Sequence, residues 1–475
     1  MPSKGVDYYA YLGSSSYSVE FQFPKDYGDS TKQITVDGND DAEVMFHGNR
    51  QISETDIGVT DHYGRYQWIA EKNNSQIASR YAEIAPSTGD MGDSNMGNML
   101  QTPSLVTSTY SISYGFYDAG PGWGSLTDQD QSYVYVTSNH SNWMNTVAQG
   151  TNLGDLPFSH IALPGVHDAG MFDITEINSL LNDVTYLSLL ASTLSPLVGI
   201  SVSDFLALSH SEWLHLLVNF AFTQKDNITT MLNLGIRYFD FRPGYCAPLY
   251  TGNLYHQHNF IPGYSYSSFL QDILRWLNAN PTEIVVVSLN FQGFLSTSMQ
   301  PTQSTLNTYL TNAQTATGTT GILTGNKDDL SRTYSDLCSS NTRLIFLNQI
   351  GASDDATKYD SYDSSVYQTT DVDNVIGALN GMSASNQSSY DYTVLQLQAT
   401  AEATGGGIFS NIATLSDATS VILSTKAMFD HQTYTWLRQN VANNFTFDKT
   451  IVFLNDFGDN ALADIAMDIT RQRIQ

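Results

Sequence analysis

The sequence predicts an α/β protein. An irregular (β/α) barrel of the TIM type is expected over residues 146–475, preceded by an all-β, sandwich-like unit over residues 1–145. Three observations carry this expectation. A chain of 475 residues exceeds one ordinary domain. Its first part is built of short alternating segments separated by Gly, Asp, Asn and Ser clusters. Its second part repeats a strand–loop–helix rhythm, the pattern of a parallel sheet covered by helices.

In the first part, Tyr17–Phe23, Tyr110–Phe116 and Tyr133–Val136 alternate in the manner of half-buried strands and suggest an antiparallel sandwich. A helical piece is expected near Gln76–Ile84, and the polar stretch Ser87–Gly97 reads as a surface loop. In the second part the candidate strands are His160–Pro164, Ile236–Arg242, Asn253–His258, Glu283–Leu289, Arg343–Leu347, Thr393–Leu397 and Ile451–Leu454. Seven strands over this length suit a closed barrel better than an open sheet. Between them, Tyr266–Asn278 gathers Phe269, Ile273, Leu274 and Leu277 on one helical face. Ile174–Phe222 breaks the rhythm as a Leu-rich helical insertion between the first two strands, either a cap packed on the barrel or a lid facing lipid.

Composition narrows the function classes. With 41% hydrophobic residues the chain can bury a sizeable core, and a formal charge of -27 argues against nucleic acid and against electrostatic docking on an anionic membrane. Cys246 and Cys338 cannot build a disulfide framework or a zinc site alone; one bridge or two free thiols remain open. Val184–Ser203, interrupted by Pro196 and Gly199, is too polar for a membrane span. Few lysines and many tyrosines point to a secreted protein, while the opening residues hold no apolar leader and point the other way.

In such barrels chemistry sits at the carboxyl ends of the strands. There the sequence places His167 and Asp168, then Asp240 and Arg242, then His256 and His258, and finally Asn455 and Asp456. Each group has a plain structural reading: a hydrogen-bonded core histidine, a barrel ion pair, or two rings on one strand face that also suit a metal. Their convergence on one rim favours chemistry.

The stretch LPFSHIALPGVHDAGM at Leu156–Met171 resembles the opening motif of phosphatidylinositol-specific phospholipase C catalytic (X-type) domains. LGIRYFDFR at Leu234–Arg242, LYHQH at Leu254–His258 and NPTEIVVVSL at Asn280–Leu289 resemble the later motifs, in order. The resemblance covers about residues 146–475 and implies a phosphodiesterase on an irregular TIM-type barrel. It implies His167 as general base, Arg242 as the group that neutralises phosphate oxygens, Asp456 as the residue that orients His167, Asp168 as support for the acid, and Asp240 as the holder of Arg242. His258, three residues after Tyr255, is the implied general acid, with His256 as its neighbour in the pocket or the acid itself. Asn259 stands where the family has glycine. Asp168 after His167, and arginine at 242, are features of the metal-independent members, so no metal or other cofactor is expected. At the places where those members hold inositol with charged residues, this chain offers Asn290, Asn348 or Gln349, and Gln396 or Gln398.

The expected partner is a phospholipid or lipid-anchor substrate at a membrane surface. Two other readings stay open: a non-catalytic lipid- or glycan-binding protein on a retained barrel, and a metal-dependent glycerophosphodiesterase-like enzyme. The Tyr-rich strands of residues 1–145 suit carbohydrate or membrane contact, with Asp118, Asp128 and Asp130 as candidate calcium ligands, and equally suit packing against the barrel.

Overall fold

The computed structural model describes residues 2–25, 30–37, 44–57, 62–97, 99–120, 129–198, 201–246, 252–348, 357–383, 389–399 and 422–475. The N-terminal part forms strands β1 (Ser3–Leu12), β2 (Tyr17–Lys25), β3 (Ser30–Asp37), β4 (Phe46–Ser53), β5 (Gly64–Lys72), β6 (Ser75–Ile84), β7 (Met91–Ser94), β8 (Leu105–Val106), β9 (Ser111–Tyr117) and β10 (Asp130–Thr137). They make two five-stranded sheets, in the orders β4-β1-β10-β9-β8 and β3-β2-β5-β6-β7. The pairing is antiparallel except between β1 and β10, which run parallel. Two expectations give way here. Gln76–Ile84 belongs to strand β6 rather than a helix, and the expected loop Ser87–Gly97 contains the short strand β7.

Alternation places Tyr17, Val19, Phe21 and Phe23 of β2 in the sandwich core, opposite Val6, Tyr8 and Ala10 of β1. The other face of β1 and β10 is buried too. Tyr9, Tyr11, Tyr133 and Tyr135 pack into one core with residues of the helices Leu423–Asn444 and Asn460–Arg473. A strand buried on both faces loses its polar alternation, which is why Tyr8–Leu12 reads as a continuous apolar run. Asn460 seals this junction: its Nδ2 donates to the carbonyls of Ser111 and Tyr135 and to Thr137 Oγ1, and its Oδ1 accepts from the Ser113 N–H.

The second part contributes β11 (Ala162–Val166), β12 (Tyr238–Phe241), β13 (Pro243–Gly244), β14 (Tyr255–His258), β15 (Ile261–Ser265), β16 (Val285–Leu289), β17 (Leu323–Gly325), β18 (Thr342–Asn348), β19 (Tyr359–Asp360), β20 (Tyr392–Gln396) and β21 (Thr450–Asn455). Eight of them form a parallel sheet in the order β17-β18-β16-β12-β11-β21-β20-β19. Its curl is visible in the interior: Tyr238 Oη of β12 lies 3.1 Å from Tyr392 Oη of β20, although two strands separate them in the sheet. The architecture is therefore an irregular TIM-type barrel whose ladder stays open between β17 and β19. The expected third barrel strand is not in this sheet; β13, β14 and β15 form a separate antiparallel sheet over its rim.

Helices Thr175–Leu180, Val184–Val198, Val202–Leu206 and His210–Ala221 follow β11. Among the described residues no helix is long and apolar enough to cross a membrane. Cys246 and Cys338 are both free thiols.

Arg237 fixes β12 from behind. Its guanidinium donates to Glu283 at 2.9 and 2.7 Å and to the carbonyls of Leu232, Ile236 and Ser141. Both partners are wholly buried. Such a pair adds little net stability while intact, but losing one member strands a buried charge. Glu283→Ala is expected to cost about 3–5 kcal/mol in denaturant unfolding, whereas Arg65 and Glu83, an exposed pair on β5 and β6, should contribute less than about 1 kcal/mol.

Candidate active site

The end of β11 delivers His167 and Asp168 onto the rim. The turn is anchored on both sides: His167 N–H donates to Asn455 O at the end of β21, and Ala169 N–H donates to Asp240 O at the end of β12. Asp168 holds φ at 44°, in the left-handed region where a non-glycine residue is strained by about 1–3 kcal/mol. A Cβ on Gly170 would lie 2.3 Å from His256 Cβ, so the following position admits glycine alone. Thr223 and Gln224, which nothing in the sequence pattern singles out, clamp the turn from outside by donating to the His167 carbonyl.

Asp168 is the centre of the constellation. Its carboxylate is fully buried and meets Arg242 Nε at 3.0 Å, His256 Nε2 at 3.2 Å, His167 Nε2 at 3.4 Å and His258 Nε2 at 4.0 Å. Burial works against its charge, but Arg242, His167 and His256 outweigh it and hold the carboxyl well below its usual range. Arg242 is pinned in turn, with Nη2 3.2 Å from Asp240 Oδ2 and 2.9 Å from His167 Nε2. Asp240 also accepts from Asn290 Nδ2 and from the Asp168 N–H. On the far side of His167, Asp456 Oδ1 lies 3.0 Å from Nδ1. The expected groups His167, Asp168, Asp240, Arg242, His258 and Asp456 are thus brought to one place.

His167 has a partner in either protonation state. In the neutral ring Nδ1–H donates to Asp456 and Nε2 accepts from Arg242; in the charged ring Nε2–H faces Asp168. Burial disfavours the imidazolium, yet Asp168 and Asp456 prevail and push His167 up to about 9. His258 behaves oppositely: burial pushes it down to about 4, against the pull of Asp168. Asn259 beyond it holds φ at 60°, a conformation that glycine and asparagine adopt most readily, so the departure from glycine keeps the backbone shape.

Other expected residues fall elsewhere. His256 is fully buried, not in the pocket: its Nδ1 accepts the Arg242 N–H at 3.3 Å and its Nε2 donates to Asp168. It positions groups and meets no solvent. Beside His167 and Arg242 opens a cleft lined by His167, Tyr238, Asp240, Arg242, Ser288, Asn290, Gln292, Tyr359, Tyr367, Val394, Gln396 and Leu454. Gln396 reaches it, whereas Gln398 is buried behind and donates to Gln396 Oε1. Asn348 bonds Gln303 and lines a separate groove. Gln349 and Asp128 lie outside the described residues. Tyr359, Tyr367 and Gln292 were not anticipated. Tyr359 sits on a two-residue strand and Tyr367 on a short 3-10 turn, neither of which leaves a periodic signal.

A curled parallel sheet carries this rim at the carboxyl ends of its strands. No family model matches the chain. It is 27% identical over 154 residues to the mouse PI-PLC X domain-containing protein 1, covering 32% of this chain and 40% of that protein. The human counterpart is 23% identical over 163 residues, 34% of this chain and 46% of that protein. The matches thus span less than half the length of these relatives. Among solved structures, a mutant of the phosphatidylinositol-specific phospholipase C of Staphylococcus aureus aligns with TM-score 0.44 and 15% identity, over 69% of this chain and 96% of that one. The Listeria monocytogenes enzyme aligns with TM-score 0.40 and 14% identity, over 70% and 98%. Over about a third of its length the chain is similar to PI-PLC X domain-containing proteins.

The raised His167 has a signed consequence for stability. A histidine whose folded pKa exceeds its unfolded value, about 6.5, stabilises the fold fully below that value. The contribution disappears as pH rises through about 9. The stability difference between the unsubstituted protein and His167→Gln, read from denaturant unfolding, should therefore be largest near pH 6 and shrink towards pH 9.

Proposed function

We propose that this chain cleaves a lipid phosphodiester, phosphatidylinositol or a related headgroup, by a phospholipase C reaction. The observation that carries the reading is the gathering of Arg242, His167 and His258 around one buried carboxylate, Asp168, at 3.0, 3.4 and 4.0 Å, with His167 and Arg242 lining a polar cleft. In-line displacement at phosphorus needs a base and an acid on opposite sides, with positive charge between them.

His167 Nε2 removes the proton from a substrate hydroxyl, whose oxygen attacks the adjacent phosphorus. Arg242 turns from His167 to the non-bridging oxygens, and the planar guanidinium suits them. His258 Nε2 protonates the departing alcohol, leaving a cyclic phosphate. Asp456 keeps the His167 ring oriented, Asp168 supports the charge on His258, and Asp240 retains Arg242. Asp168 and Asp456 favour the proton on His167, so substrate has to reverse the pair. An anionic phosphate beside His258 favours its charged form, and drawing Arg242 away frees His167 to act as base.

The same geometry supports a metal-independent reaction. His167, Asp168 and Asp240 lie close enough to gather round a cation, and the Arg242 guanidinium already occupies the space between them. Asn290, Gln292, Gln396, Tyr359 and Tyr367 offer uncharged donors and acceptors, which suit the hydroxyls of a polyol.

Phosphatidylinositol vesicles incubated with the protein in chelator, followed by phosphorus NMR, test this reading. A cyclic inositol phosphate signal is expected, absent with His167→Ala and reduced about 100-fold or more with Arg242→Lys. Silence from the folded, unsubstituted protein would remove phosphatidylinositol as substrate, and activity recovered only on adding a divalent metal would overturn the arginine's role.

A further inference from the structure

Behind the rim lies a buried charge network that the reaction itself does not use. Lys426, on the helix Leu423–Asn444, is 1% exposed and sits between Asp430 at 2.8 Å and Asp459 at 2.6 Å. Tyr434 Oη donates to Asp459 Oδ2 at 2.6 Å. Asp430 Oδ2 also accepts from Tyr135 Oη of β10 at 3.0 Å, and its Oδ1 accepts from Asn455 Nδ2 at 2.8 Å. Asn455 then turns its Oδ1 to the Asp456 N–H at 2.9 Å, and Asp456 holds His167.

An unbroken chain of hydrogen bonds therefore runs from a tyrosine of the N-terminal sheet to the His167 ring. Every side chain between these ends is buried. Taking three charges out of water is costly, and stability alone would be served as well by apolar residues of the same volume. One cation between two carboxylates leaves a net negative charge, offset by neutral donors: Tyr135, Tyr434, Asn455 and the Leu462 N–H at the start of the helix Asn460–Arg473. Remove one, and the arrangement that fixes the end of β21 has to shift.

We propose that Tyr135 and Asp430 are positioning residues for the His167–Asp456 pair, so that residues 1–145 complete the active site of the barrel instead of forming a separable binding module. The inference rests on the catalytic reading above for its kinetic consequence, but not for its structural one. The surroundings agree: Gln131 donates to Ser424 O at 2.6 Å, and Asn460 bonds both β9 and β10, so the sheet is fastened to the helix that carries Lys426 and Asp430 and to the helix that Asp459 caps.

The test follows the His167 Cε1 proton by NMR through a pH titration of the full chain, the resonance being assigned with His167→Gln. His167 faces Asp168, Asp456, Arg242 and His258, and Asp430 faces Lys426, Asp459, Tyr434, Tyr135 and Tyr133. Tyr135→Phe removes a hydrogen bond and no formal charge, whereas Asp430→Asn also removes a carboxylate, so Tyr135→Phe is the variant that reports position, read above pH 7 where Asp430 is ionised. Loosening Asp456 from His167 should lower the His167 titration by about half a unit or more. It should also cut kcat about tenfold, with KM within about twofold. Asp430→Asn should do the same, and Gln131→Ala, at the same junction but outside the network, should leave the titration in place.

Three outcomes overturn the proposal: a folded Tyr135→Phe with unchanged His167 titration, an unchanged titration in Asp430→Asn, or an equal shift from Gln131→Ala. Absence of turnover in the unsubstituted protein would count against the catalytic reading instead, and the titration remains readable in that case.

Discussion

The buried carboxylate of Asp168 is the interaction on which the site depends. Removed from water, it cannot stay charged without partners, and a neutral acid there would hold neither Arg242 nor the histidines. The fold supplies the partners from three separate stretches of chain: His167 beside it, Arg242 after β12, and His256 with His258 on β14. Each comes with its own restraint, Asp456 for His167, Asp240 for Arg242, and the Arg242 backbone N–H for His256. The result is a set of shared contacts in which Arg242 keeps Asp168 and Asp240, and His167 keeps Asp456, even when the contact between arginine and histidine is broken.

Rigidity has a visible cost in the backbone. Asp168 at φ 44° and Phe457 at φ 48° are both left-handed, and each adjoins a residue of the His167–Asp456 pair. Both strained turns are tied to the same short segment. Thr223 donates to the His167 carbonyl and accepts from the Phe457 N–H, while Gln224 bonds the His167 carbonyl and the Gly458 N–H. Strain persists where surroundings over-determine it. Thr223 and Gln224 close the helical insertion, so this excursion from the barrel ends by bracing the two turns that carry the base and its orienting acid.

Legibility in the sequence followed the length and one-sidedness of each signal. The helix Tyr266–Ala279 and strand β2 are readable because their apolar residues recur at a single period, and β16 and β21 because each is a short continuous apolar run. Gln76–Ile84 misled because Ile77, Ala78, Tyr81 and Ala82 fit a helical spacing, yet the segment pairs with β5 along its whole length. Strands β17 and β19, of three and two residues, carry no period at all. Tyr255–His258 looks like a barrel strand in isolation, and only its antiparallel partners β13 and β15 reveal otherwise. In the site, residues with chemically distinctive side chains were legible, whereas Thr223, Gln224, Tyr359 and Tyr367 act through position, which tertiary contacts alone decide. His256 shows the same limit: an H-x-H pair points two rings to one side, but sequence does not tell which of them sees solvent.

The two accessible histidines pose a problem that the geometry itself frames. A base must begin neutral and an acid must begin charged, yet the protein groups favour the reverse, with His167 high and His258 low. Both rings face the same carboxylate, so what matters is where a bound anion draws the proton. His258 is the ring with a side chain 26% open to solvent, and an anion entering beside it adds the negative charge it lacks. Arg242, released by the same anion from its contact with His167, stops competing for Nε2. A high His167 and a low His258 are therefore compatible with acid–base chemistry: the anion that makes the proton useful is also the one that moves it.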